Sequence, residues 1–215
     1  MDSTNGFGRW NGCWSGSVTS ESTLPPVALK IVVAGGFGVG KTTTVGSISE
    51  IEPLSTDVPI TELGVEVDPL DKTPAKTATT AAFDFGRITF DDLVLYLFGT
   101  PGQERFAFMW DELTRGAVGA VVSADTRRLA DSFPAVDYFE IRAIPFMVAV
   151  NCFEGIRLHE IDEIRDALAL GPDIPIAFYD ARERSSVAAV LVRIVEHSLT
   201  CARAELRSET LTNEN

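Results

Sequence analysis

Four short apolar runs and one hairpin set the pattern of the chain. Residues 27–34, VALKIVVA, form a β-rich run that ends at a cluster of glycines. AVGAVVSA (117–124), IPFMVAVN (144–151) and IPIAFYD (174–180) are apolar almost without interruption. That is the signature of strands buried on both faces. TAAFDFGRITF and LVLYLFG, separated by Asp91 and Asp92, read as an antiparallel hairpin. Helical periods lie between these runs. DSFPAVDYFEIR is one, and Leu158, Ile161, Ile164 and Leu168 recur at three and four in another. From Ser185 onward, Val187, Val190, Leu191 and Ile194 make a third stripe. Strands alternating with helices predict an α/β fold: a mostly parallel six-stranded sheet with one antiparallel edge strand and helices on both faces. Ligands on such sheets bind beyond the carboxyl ends of the strands. Residues 51–80 are rich in Pro, Thr, Asp and Gly without a period, as functional or mobile loops are. There is no internal repeat.

Composition narrows the function classes. The 215 residues suit one domain. We expect a flexible arm over 1–26, the domain over 27–206 and a disordered tail over 207–215. The first 26 residues lack the basic start and apolar middle of a secretion signal. No apolar run approaches the roughly 18 residues of a membrane span. A net charge of −13 disfavours duplex nucleic acid and anionic lipid as partners. No Gly follows Met1 and no prenylation box ends the chain, so a direct membrane anchor is not expected. Cys13, Cys152 and Cys201 are widely spaced, which fits a reducing cytoplasm. His159 and His197 stand apart, without the spacing of a transition-metal site.

The glycines after the first run carry chemistry. Gly35, four residues, then Gly40-Lys41-Thr42 is G-x-x-x-x-G-K-[ST], placed between a strand and a helix as the motif requires. Glycines admit main-chain N–H groups to phosphate oxygens, and the following helix turns its positive end toward them. Gly35, Gly38, Val39, Gly40, Lys41, Thr42 and Thr43 are therefore the predicted phosphate cradle. Lys41 supplies a point charge, and the Thr42 hydroxyl is a Mg2+ ligand.

Three later segments end strands in the same order: FGTPGQERF (98–106), VAVNCFEG (148–155) and YDARERSS (179–186). Together with the first motif they resemble the signatures of Ras-like small GTPases over residues 27–206. GGFGVGKTT, FDFGRI, LYLFGTPGQERF and ADTRRLADSFPAVDYFE are similar to the bacterial gliding-motility GTPases, and more so to those of actinomycete conservon operons. The resemblance implies a small-GTPase-like P-loop domain that binds GTP and GDP with Mg2+. It would be a slow GTP hydrolase and a cytoplasmic signalling switch. It also implies a roadblock/longin-type protein and a sensor-kinase-like protein as partners, one of which would bring it to a membrane. Gln103 matches the water-orienting glutamine, with Gly102 before it. Thr80 matches the switch threonine that binds Mg2+, with Thr77 and Thr79 as competitors. Asn151, Glu154, Ala181 and Arg182 match the base-reading positions, the Ala181 N–H being the one that would read guanine O6.

The chain also departs from the family. Gly99 stands where the Mg2+-site aspartate belongs. Asp84, on the neighbouring hairpin strand, is either its replacement or a solvent-facing residue. Cys152 replaces the lysine that packs on the base. Glu154 replaces the aspartate that accepts two hydrogen bonds from guanine. Phe37 occupies a position usually left small for an activating arginine, which implies slow hydrolysis. Two alternatives to a switch stay open: a nucleotide-bound scaffold with little turnover, and a P-loop kinase.

Overall fold

The computed structural model describes residues 26–52, 54–59, 80–102, 108–152 and 155–213. Among the described residues, seven strands form one sheet: β1 (Val27–Ala34), β2 (Leu54–Pro59), β3 (Thr80–Phe90), β4 (Leu93–Gly99), β5 (Gly119–Ala124), β6 (Phe146–Asn151) and β7 (Ile176–Tyr179). Their order is β2-β3-β4-β1-β5-β6-β7. β4, β1, β5, β6 and β7 run parallel, while β3 is antiparallel to both β4 and β2. The helices are α1 (Lys41–Ile48), α2 (Trp110–Thr114), α3 (Phe133–Ile141), α4 (Ile161–Ala167) and α5 (Arg184–Asn213). A 3-10 turn over Thr126–Ser132 leads into α3.

Alternation along each strand sorts the core into two layers. Ile31, Val33, Leu95, Leu97 and Val121 face α1 and α5, where Val45, Ile48, Val187, Leu191 and Ile194 cover them. Val32, Val122, Val148 and Val150 face Trp110, Val136, Phe139 and Ile164 on the other side. Each buried Val, Ile or Leu contributes about 1.5–3 kcal/mol relative to exposure. Both faces of the central strands are covered, which is why their sequences show no alternation.

Four details differ from the sequence reading. The sheet has seven strands, because Leu54–Pro59 pairs onto β3. The antiparallel strand β3 therefore lies inside the sheet, not at its edge. LSTDVP has no apolar alternation; its pairing comes from the main chain of β3, which offers an open ladder to any neighbour. Second, α5 continues through 207–213, where a disordered tail was expected. No Gly or Pro interrupts 184–213, and Ala, Leu, Arg and Glu sustain the helix. Third, Leu158 lies outside α4 and is exposed, because the Glu160–Glu163 capping box starts that helix only at Ile161. Fourth, Arg184–Ser208 is long and apolar enough to cross a membrane by length and composition. Val187, Val190, Leu191 and Ile194 pack on the sheet, while Val192, Leu199 and Leu206 are exposed.

Candidate functional site

β1 delivers the chain to the glycine loop at the carboxyl edge of the sheet. At Gly35 φ is 131°, and a Cβ there would lie 2.2 Å from the Ser123 carbonyl oxygen. No side chain fits, so the first glycine is required by the close passage of β5. Gly38 and Gly40 also adopt positive φ, and Val39 between them is buried. The chain then enters α1 at Lys41. The Lys41 ammonium is buried, and Nζ donates to the carbonyl oxygens of Gly35 at 2.9 Å and Gly36 at 2.6 Å. Burial lowers its pKa to about 8, while the neighbouring Asp84 charge pulls the other way. The loop thus holds a cation over its own carbonyls at the mouth of a helix N-terminus.

Thr42 and Asp84 meet. Thr42 Oγ1 donates to Asp84 Oδ2 at 2.7 Å. Asp84 is 9% exposed, so of its two sequence readings the solvent-facing one is excluded. The register explains the pairing: Asp84 of β3 lies directly opposite Gly99 of β4. A Cβ on Gly99 would stand 3.0 Å from Asp84 Oδ2 and 3.1 Å from its Cβ. This rung has comfortable room for one carboxyl side chain, and here it comes from β3. A threonine hydroxyl and a carboxylate are hard oxygen donors of the kind Mg2+ takes, so the residues fit that ion. Among the described residues there is no cluster of three or more His, Cys, Asp or Glu to suggest another metal.

The turn after β4 closes on the loop. A Cβ on Gly102 would come within 2.7 Å of Lys41 Nζ and 2.9 Å of Phe37 Cα. Phe37 itself is 64% exposed. Gln103 follows Gly102 directly in the chain and lies outside the described residues, as do Thr77 and Thr79. Thr80 is the first residue of β3, paired with Pro59. Thr43 is exposed on the first turn of α1.

At the other end, Asn151 closes β6. Its Nδ2 donates to the Val39 carbonyl at 2.9 Å, tying β6 to the loop. Its Oδ1 accepts from the Ala181 N–H at 3.2 Å. That N–H was expected to face a purine O6; in this structure it is engaged by Asn151. Arg182 clamps Asp180 through Nε to Oδ1 at 3.0 Å and a terminal nitrogen to Oδ2 at 2.7 Å. These hydrogen bonds hold the Asp180 carboxyl down at about 2. Cys152 is buried, burial pushes its thiol pKa up, and its N–H donates to the Tyr179 carbonyl. Glu154 lies outside the described residues. Asn151 and Arg182 line a cleft of about 340 Å3 with Asp125, Arg127, Ile156 and Leu158.

Two features were passed over in the sequence. Asp125 and Arg127 repeat at the end of β5 the pairing of Asp180 and Arg182 after β7, with a 2.7 Å ion pair in each. The common D-x-R spacing of ADTR and YDAR was the available signal. Tyr179 is the other: its hydroxyl is 2.9 Å from Thr44 Oγ1 and 3.0 Å from Ser123 Oγ. Nothing local in IAFY marks that hydroxyl as buried.

A family described as conserved hypothetical ATP binding protein matches residues 33–201. The chain belongs to that family. The match runs from the end of β1 into α5 and so includes both ends of the site. Within this setting the chain is 30% identical, over 125 residues, to an uncharacterized protein of Methanocaldococcus jannaschii. That alignment covers 57% of this chain and 69% of the relative. Among solved structures, the chain is similar to the G domain of the FeoB iron transporter of T. maritima. The TM-score is 0.55 at 19% identity, covering 80% of this chain and 99% of that one. The cytosolic domain of the same transporter in a GDP form gives 0.59 at 16% identity, covering 81% of this chain and 64% of that one. At such identities the likeness is one of fold: this family member has the fold of a small-GTPase G domain.

Proposed function

We propose that this family member is a guanine-nucleotide switch that hydrolyses GTP to GDP with Mg2+. The observation that carries the reading is the Thr42–Asp84 pair beside Lys41, at the tip of a glycine loop that opens a helix. Loop N–H groups and Lys41 hold the terminal phosphates. Thr42, Asp84 and, by resemblance, Thr80 would hold the ion, which would supply positive charge against the phosphates. Asp84 does the work of the carboxylate that Gly99 lacks. Gly102 sits against Lys41, where the terminal phosphate would lie. Gln103 orients the attacking water, and Phe37 keeps an external arginine away. Turnover is then on the order of 10⁻⁴ per second, as for G domains without an arginine finger. The GDP form of the FeoB domain supports the choice of nucleotide. Asn151, Ala181, Arg182 and Glu154 would choose the purine. In the cell the switch would sit in the cytoplasm and act through regulatory proteins, among them a roadblock/longin-type protein and a sensor-kinase-like protein.

One observation favours a second reading, an adenine nucleotide. The Ala181 N–H, the expected donor to guanine O6, is taken by Asn151, and the family description speaks of ATP. Calorimetric titration of GDP and ADP into nucleotide-free protein separates the two. Tighter GDP supports the guanine reading; equal or tighter ADP refutes it. Single-turnover GTP hydrolysis then tests the switch: Gln103→Ala is expected to slow it, and an unchanged rate favours the low-turnover scaffold.

A further inference from the structure

The buried hydroxyl of Tyr179 has no part in the roles above, yet it joins both ends of the site. Thr44 Oγ1 donates to the Gly40 carbonyl at 2.9 Å. Its single proton is therefore spent. The 2.9 Å contact with Tyr179 must then be a donation from the tyrosine, and the 3.0 Å contact with Ser123 a donation from the serine. The chain Ser123→Tyr179→Thr44→Gly40 thus runs in one direction and polarises along its length. It starts on β5 at the residue whose carbonyl crowds Gly35, and ends on the carbonyl of Gly40. The first and last glycines of the phosphate loop are both in its reach. The tyrosine also adjoins both purine-side segments. Its carbonyl accepts from the Cys152 N–H at 2.7 Å, and two residues on, the Ala181 N–H is held by Asn151. Ser123 is fully buried and Tyr179 nearly so, so water cannot replace a missing link.

We propose that Tyr179 is a positioning residue that couples the purine end of the site to the phosphate end. Filling the purine cleft presses on 151–152 and 180–182, and the hydroxyl chain transmits the change to the loop carbonyls. This rests on the nucleotide-switch reading and adds to it a reason why the base would tighten the hold on phosphate.

The test is a cycle in the ligand, run on the full chain. Affinities are measured for GDP, GMP, IDP and IMP, which remove the β-phosphate and the purine 2-amino group separately and together. Wild type is expected to show non-additivity of about 5-fold or more, the lower end of ordinary coupling. Tyr179→Phe keeps the ring and deletes the hydroxyl, and should reduce the non-additivity to under about 2-fold. Ser123→Ala, cutting the chain at its far end, should give an intermediate value, and it serves if the tyrosine variant fails to fold. A merely structural hydroxyl would lower all four affinities by one factor and leave the coupling intact, which overturns the proposal. Additive wild-type affinities overturn it as well. Absence of GDP binding by wild type shows before any variant is compared, and removes the parent reading with the proposal.

Discussion

Replacing Asp84 by alanine is expected to uncouple nucleotide binding from Mg2+. Two effects can be sized from the geometry. In the free protein the variant loses a 2.7 Å hydrogen bond to a buried carboxylate. Bonds to charged groups contribute about 1.5–3 kcal/mol. The lower end applies, because Thr42 is exposed and its hydroxyl can turn to water. In the bound state the ion loses a carboxylate. Loss of groups that orient or support a metal typically costs 10–100-fold in metal affinity. The assay is release of a fluorescent GDP analogue in excess Mg2+ and in chelator. Wild type should release much faster in chelator; Asp84→Ala should release at nearly the same fast rate in both. The register adds a rescue. Because Gly99 faces Asp84 across the ladder, the double variant Asp84→Gly, Gly99→Asp moves the carboxyl to the opposite strand at a Cβ 3.0 Å from where Oδ2 stood. It should regain most of the Mg2+ dependence. If Asp84→Ala keeps the full Mg2+ effect, the substitution of one strand's carboxylate for the other's is wrong.

Two further expectations concern the loop. The pKa of Lys41 is lowered by burial to about 8 from 10.5. The unfolded chain therefore binds more protons between pH 8 and 10.5, and the Lys41 contribution to stability rises with pH across that window. Phosphate returns the charge, so GDP binding near pH 8 should take up about half a proton. Titrations in two buffers of different ionisation enthalpy measure this, and equal heats in both would contradict it. Gly102→Ala places a methyl 2.7 Å from Lys41 Nζ and must displace the turn. It should cost a non-hydrolysable GTP analogue about tenfold, or ~1.4 kcal/mol, while leaving GDP within about threefold; equal losses for both would refute the placement of this turn at the terminal phosphate.

The parts of this protein readable from the chain alone are those whose cause is local. The glycine loop is contiguous, and its shape follows from residues that permit positive φ between a strand and a helix. The doubly buried strands announce themselves by unbroken apolar runs, and the β3–β4 hairpin by its paired aspartates. That Gly99 lacks an aspartate was legible only through the family resemblance, and the hairpin then offered Asp84 as its replacement. What the chain alone left open was decided by register and packing. Asp84 could have faced solvent until the β3–β4 ladder set it against Gly99 and Thr42. β2 is invisible in LSTDVP because its order comes from the open edge of β3. α5 outruns its apolar stripe because helix propensity continues where packing stops. Tyr179 stands 56 positions from Ser123 and 135 from Thr44 along the chain. Their hydroxyls meet only because the sheet order brings β5, β7 and the start of α1 to one edge, and a hydrogen bond between distant residues leaves no trace in the pattern around any one of them.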